Sequence, residues 1–229
     1  MRRVRNSVLA LPLLALAAVA LFAGGDTTPN ARAQQQAAKA SYAAIPGGEY
    51  RIDPAHSTIG FAIRHYEINW VSGRFKDFSG TIRYDEKDVT KSSVEFTAKI
   101  ASIDTGVEGR DKHLRTADFF DAEKFPDMTF KSHHVERKGN GYVLHGDFTM
   151  RGITKQVAIP FTVTGAIKDP RGNTRFGVEA STRIDRRDYG ITWGKALEGG
   201  GLDLGNEVTV NLSLEAVKAA PKPAATAAQ

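Results

Sequence analysis

"ITKQVAIPFTVTGAIK", residues 153–168, alternates apolar and polar side chains along nearly its whole length. Val157, Ile159, Phe161, Val163 and Ile167 share one face. A period of two is the mark of a strand with a core on one side and water on the other. Pro160 lacks the N–H a ladder needs, so it predicts a bulge or an edge at that point. Sixteen extended residues would span about 50 Å at about 3.3 Å each. Ordinary strands run about five or six residues. Strands this long around one apolar face favour a tall closed barrel, which also leaves no exposed sheet edge.

The pattern recurs outward from that stretch. "EVTVNLSLEAV" (207–217), "SVEFTAKI" (93–100), "YVLHGDFTM" (142–150), "RFGVEASTRID" (175–185) and "STIGFAIRH" (57–65) all alternate, with turn signals such as "GNG", "MRGIT" and "DPRGN" between them. The expectation is an all-β domain, an extended eight-stranded antiparallel barrel. One short helix is predicted over 107–117, with Asp104 or Thr105 as its cap and Asp111–Arg115 as an i,i+4 ion pair.

The ends of the chain read differently. "MRRVRN" followed by the uncharged apolar run 7–23 and "ARA" at 31–33 has the pattern of a cleaved secretory signal peptide, with Gly25 as a second cleavage site. The expected organisation is a signal at 1–33, an Ala/Gln-rich linker at 34–48, one domain at 49–217 and a disordered Ala/Pro tail at 218–229. Location is then periplasmic or secreted. Removing the signal takes away four arginines and one aspartate, so the formal charge falls from +5 to +2. With no basic tail left, a nucleic-acid partner is not expected. The chain has no cysteine, which excludes disulfides, thiolate metal sites and a cysteine nucleophile.

The polar clusters hold the candidate chemistry. The six histidines show no metal-ligand spacing, and His133 and His134, adjacent on a strand, should face opposite ways. No metal and no cofactor are expected. "DPAHS" (53–57) holds Asp, His and Ser too close in sequence to line up as a triad, and reads as a turn. Asp118, Asp121, Asp185 and Asp188 lie near arginines, which suits ion pairing better than acid catalysis. "RDKHLRTADFF" (110–120) is the densest charged stretch. Arg110, Asp111, His113 and Arg115 fit either a clamp for an anionic group or an ion-pair plug over Phe119 and Phe120.

Taken together, several short stretches resemble the YceI-like family of polyisoprenoid-binding periplasmic proteins. In order they are "DPAHS" (53–57), "GRFKDFSG" (73–80), "SIDT" (102–105), "RDKHL" (110–114), "DFFD" (118–121), "FPDMTF" (125–130), "GDFTMRGITK" (146–155) and "IDRRDYG" (184–190). Tyr50, Phe148, Arg187 and the glycine-rich loop 194–206 depart from the family pattern. The resemblance implies a lipocalin-like barrel with an apolar tunnel. It implies binding, sequestration or transport of an isoprenoid or other amphiphilic lipid, without catalysis. It would place the ligand head at Arg110, Asp111, His113 and Arg115, and the tunnel at Phe61, Phe96, Phe119, Phe120, Phe148, Phe161 and Phe176. Transient membrane contact and a homodimer are compatible with it. The residues leave two other readings open, an enzyme acting on such a ligand and a packed-core structural or stress-response protein.

Overall fold

The computed structural model describes residues 42–220. The expected signal, most of the linker and most of the tail lie outside them. In chain order the strands are β1 (Gly48–Ile52), β2 (Thr58–His65), β3 (Asn69–Phe75), β4 (Phe78–Tyr84), β5 (Ser93–Lys99), β6 (Ile103–Asp104), β7 (Asp127–Lys138), β8 (Gly141–Met150), β9 (Ile153–Lys168), β10 (Thr174–Asp185) and β11 (Leu204–Lys218). A helix, α1 (Glu108–Leu114), lies between β6 and β7.

All strand pairs are antiparallel, and the sheet closes on itself through β1 and β11. β1 and β2 are two halves of one long strand, both paired to β11 and interrupted at 53–57. β3 and β4 are halves of the next, paired to β2 and β1 and interrupted at 76–77. The wall is therefore an eight-stranded antiparallel barrel, as the alternation predicts. Residues 42–47, read as the end of a linker, instead run onto the barrel. Ala43 bridges Ala166, Ile45 is buried, and the Gly47 N–H donates to Glu86 Oε2 at 2.8 Å.

Pro160 explains a local feature of the wall. β9 pairs with β8 over residues 153–161 and with β10 over residues 161–168, where the second ladder stops at Phe161–Ala180. The missing N–H falls where the ladder ends, which is the edge-like position a proline tolerates. A bulge in β7 corrects the histidine expectation. The β7–β8 register shifts between Ser132 and His134, so His133 and His134 both face outward. The extra residue of a bulge breaks strict alternation. His133 Nε2 lies 2.9 Å from Asp147, and His134 stacks on His145.

The registers place the 66–68 turn, the 151–152 turn, α1 and the 186–203 segment at one end of the barrel. The 139–140 and 169–173 turns mark the other, the base. There the buried Tyr50 ring meets Phe176 edge-on at 4.7 Å, and its hydroxyl donates to Pro46 O at 2.6 Å.

Candidate functional site

Inside the barrel is a cavity of about 440 Å³. Its wall comes from the inward positions of the alternating strands. All seven phenylalanines singled out from the sequence lie on it. They divide by packing. Phe176 is 3 % exposed and closes the base, while Phe119 is 6 % exposed and closes the α1 end. Phe61, Phe96, Phe120, Phe148 and Phe161 stay half-buried although they face inward. A side chain that points to the centre and yet keeps accessible surface borders an open space and not a filled core. The barrel is hollow.

The charged cluster at the α1 end separates into two sets. Arg110 and His113, one turn apart on α1, border the cavity. Arg110 Nε donates to the Thr105 hydroxyl at 2.7 Å and Nη2 to Thr105 O at 2.8 Å. No carboxylate partners it among the described residues. His113 Nε2 lies 2.8 Å from Asp118 Oδ2, and its ring meets Phe119 and Trp193 edge-on. Asp111 and Arg115 do not border the cavity. Asp111, 7 % exposed, accepts from the Thr105 N–H at 2.9 Å and from the Thr105 hydroxyl. Arg115 Nη2 donates to Ile103 O at 3.1 Å.

The helix details change accordingly. α1 runs over Glu108–Leu114 and not 107–117, and its N-cap, Val107, makes no side-chain cap bond. Asp104 Oδ1 accepts instead from the Gly106 N–H at 3.1 Å. The i,i+4 ion pair is Glu108–Lys112 at 2.7 Å, because Asp111 is turned inward onto Thr105. At this end Arg110 and Arg115 bond backbone carbonyls, beside the pairs Glu108–Lys112 and His113–Asp118.

Sequence reasoning missed Arg186. It is 5 % exposed and borders the cavity. Nε donates to Gly205 O at 2.8 Å, Nη1 to Ile191 O at 3.0 Å and Trp193 O at 2.6 Å, and Nη2 to Leu204 O at 3.2 Å. Burial pulls its pKa down from the usual arginine value, partly offset by the charges of Asp185 and Asp203. An arginine stays protonated through such a shift. The signal was present in the alternation. Val178, Ala180, Thr182 and Ile184 face inward, and Arg186 is the next step of two.

The base holds a different cluster. Asp53, His56 and Glu215 are spaced closely enough to hold an ion. Arg175 already occupies that role. Its Nη1 contacts Asp53 Oδ2 at 2.9 Å and also Glu215, while Nε contacts Asp169 Oδ2 at 2.8 Å. Ser57 points away from His56. Its hydroxyl accepts from the Glu215 N–H at 2.9 Å, so it fastens β2 to β11.

A YceI-like domain pattern matches residues 50–216, nearly the whole barrel. The chain belongs to the YceI-like family. Protein YceI of Salmonella newport is 38 % identical over 175 residues, covering 74 % of this chain and 87 % of that protein. Among solved structures, the YceI protein of Campylobacter jejuni is 31 % identical with a TM-score of 0.59, covering 73 % of this chain and 96 % of that one. A polyisoprenoid binding domain from Saccharophagus degradans shares the fold at 16 % identity and a TM-score of 0.57, covering 76 % of this chain and all of that one (100 %).

Proposed function

We propose that this YceI-like protein is a non-catalytic carrier that takes an isoprenoid or related amphiphile into its barrel. The tail would run along Phe61, Phe96, Phe148 and Phe161, and the head would sit at the α1 end with Arg110, His113 and Arg186. The observation that carries this reading is the apolar-walled cavity of about 440 Å³ with two guanidiniums at one end that no carboxylate pairs with among the described residues. That volume is in the range of about 300–1,000 Å³ typical of small-molecule sites. A prenyl chain leaving a bilayer gains little from another apolar place. Head-group contacts and cavity shape must therefore select the ligand, and unpaired cations favour an anionic head.

The reading is of a binder and not an enzyme. Asp53, His56 and Ser57 each serve the wall, and among the described residues His113 has Asp118 beside it but no nucleophile bonded to it. An exported location follows from the basic and apolar N-terminal pattern. N-terminal sequencing of the protein recovered from the medium or periplasm should begin at Gln34 or Asp26.

The deciding experiment is mass spectrometry of molecules extracted from protein purified without detergent. A stoichiometric prenyl or fatty amphiphile is expected. An empty protein that remains empty after incubation with farnesol and farnesyl phosphate would overturn the carrier reading. Arg110→Ala should weaken farnesyl phosphate binding by about tenfold or more, a charged hydrogen bond being worth about 1.5–3 kcal/mol, and leave farnesol binding nearly unchanged.

A further inference from the structure

Eight large apolar side chains are exposed among the described residues, and six of them, Tyr66, Ile68, Trp70, Val107, Ile153 and Trp193, lie at the α1 end. Ile68 is 81 % exposed and contributes almost nothing to folding from there. Tyr66 and Trp70 flank it on the β2–β3 hairpin, and both tryptophans of the chain, Trp70 and Trp193, belong to the group. The hairpin and the loop that carries Trp193 are joined. The Tyr66 N–H donates to Asp203 O at 2.8 Å, and His65 pairs with Leu204.

The cavity reaches the surface at this rim. Of all the residues that border it, only His65 and Trp193 are exposed. One belongs to the hairpin and the other to the adjoining loop. The turn itself is built at a cost. Tyr66 and Glu67 have φ of 50° and 59°, a region that favours glycine or asparagine. The turn nevertheless presents a tyrosine there, with an isoleucine next to it. Residues held in such sparsely populated regions cluster at functional sites. Glu67 folds back toward Gly201, whereas Arg64 lies over the Trp70 ring at 4.3 Å. The tip thus offers aromatic and aliphatic groups with a cation behind them.

Tryptophan and tyrosine settle at the boundary of headgroups and acyl chains, and an aliphatic tip enters below them. We propose that this rim docks on a lipid bilayer. Tyr66, Ile68, Trp70 and Trp193 seat in the interfacial layer, Arg64 meets lipid phosphates, and the mouth between His65 and Trp193 faces the acyl chains. An apolar ligand then passes between bilayer and barrel without crossing water. The proposal rests on the ligand-binding reading, but its surface chemistry is separately testable.

Because the only two tryptophans lie on the rim, their fluorescence reads this end of the molecule, whatever the N-terminal residues do. The full chain as purified from cells is mixed with vesicles of equimolar phosphatidylcholine and phosphatidylglycerol, with and without brominated acyl chains. Blue-shifted emission and quenching by the brominated lipid are expected. Ile68→Asp should weaken vesicle binding by about tenfold or more. Tyr66→Asn, which suits the turn, should weaken it while keeping the fold. Neither residue borders the cavity, so uptake of farnesol from solution should be unchanged in both. Absence of quenching in the parent protein, or quenching that both variants retain, overturns the docking. Farnesol uptake without quenching overturns docking and leaves the ligand reading standing. Quenching without farnesol uptake supports docking and overturns the ligand reading.

Discussion

Arg175 shows what one side chain does for the base. It joins Asp53 on the break between β1 and β2, Asp169 in the β9–β10 turn and Glu215 on β11. The His56 ring, then Arg175, holds the Asp53 carboxyl below its usual range, and Asn173, then Arg175, does so more strongly for Asp169. Lowered carboxylate pKa values stabilise the fold above the unfolded value of about 4 and lose that effect as pH falls through the folded values. Arg175→Met should lower the urea midpoint at neutral pH, since it strands three half-buried carboxylates close together. It should also flatten the loss of stability on acidification. Urea midpoints at a series of pH values, for both proteins, check both statements.

At the level of elements, close approach decides more than propensity. Gly146 on β8 lies beside the β7 bulge, and a Cβ there would come within 2.5 Å of the Lys131 carbonyl and 2.6 Å of the Phe130 ring. Backbone cannot yield as a flexible side chain can. Gly146→Ala should therefore destabilise the barrel by about 1–3 kcal/mol in equilibrium unfolding. Strand alternation and Pro160 were legible because they are local. The bulge was not, since nothing in "KSHHVERK" marks an extra residue and only the register against the partner strand shows it. The same holds for Asp111, whose role depends on Thr105 being brought back to it.

For the whole molecule, hollowness has a measurable consequence. A phenylalanine in a filled core costs about 3–5 kcal/mol when cut to alanine. Phe161 already faces open space, so Phe161→Ala should cost only about 1–2 kcal/mol. Ile100 is 1 % exposed in the packed α1 end, and Ile100→Ala should cost about 2–4 kcal/mol despite removing fewer atoms. Denaturant unfolding of the two variants tests the order. If Phe161→Ala proved the costlier, the interior would be packed and not open.

The sequence by itself determined the class of fold, the long strands and the inward phenylalanines on them, because a period of two is a local property of the chain. It also carried the family's short stretches in order. Tertiary structure decided the rest. Only closure of the sheet shows that the centre is empty, since alternation is the same for a solid and a hollow barrel. Only the packing of the α1 end separates Arg110 and His113, which border the cavity, from Asp111 and Arg115, which hold the backbone. Only there does Arg186 enter, because carbonyls from 191–205, up to nineteen positions along the chain, must converge on one guanidinium.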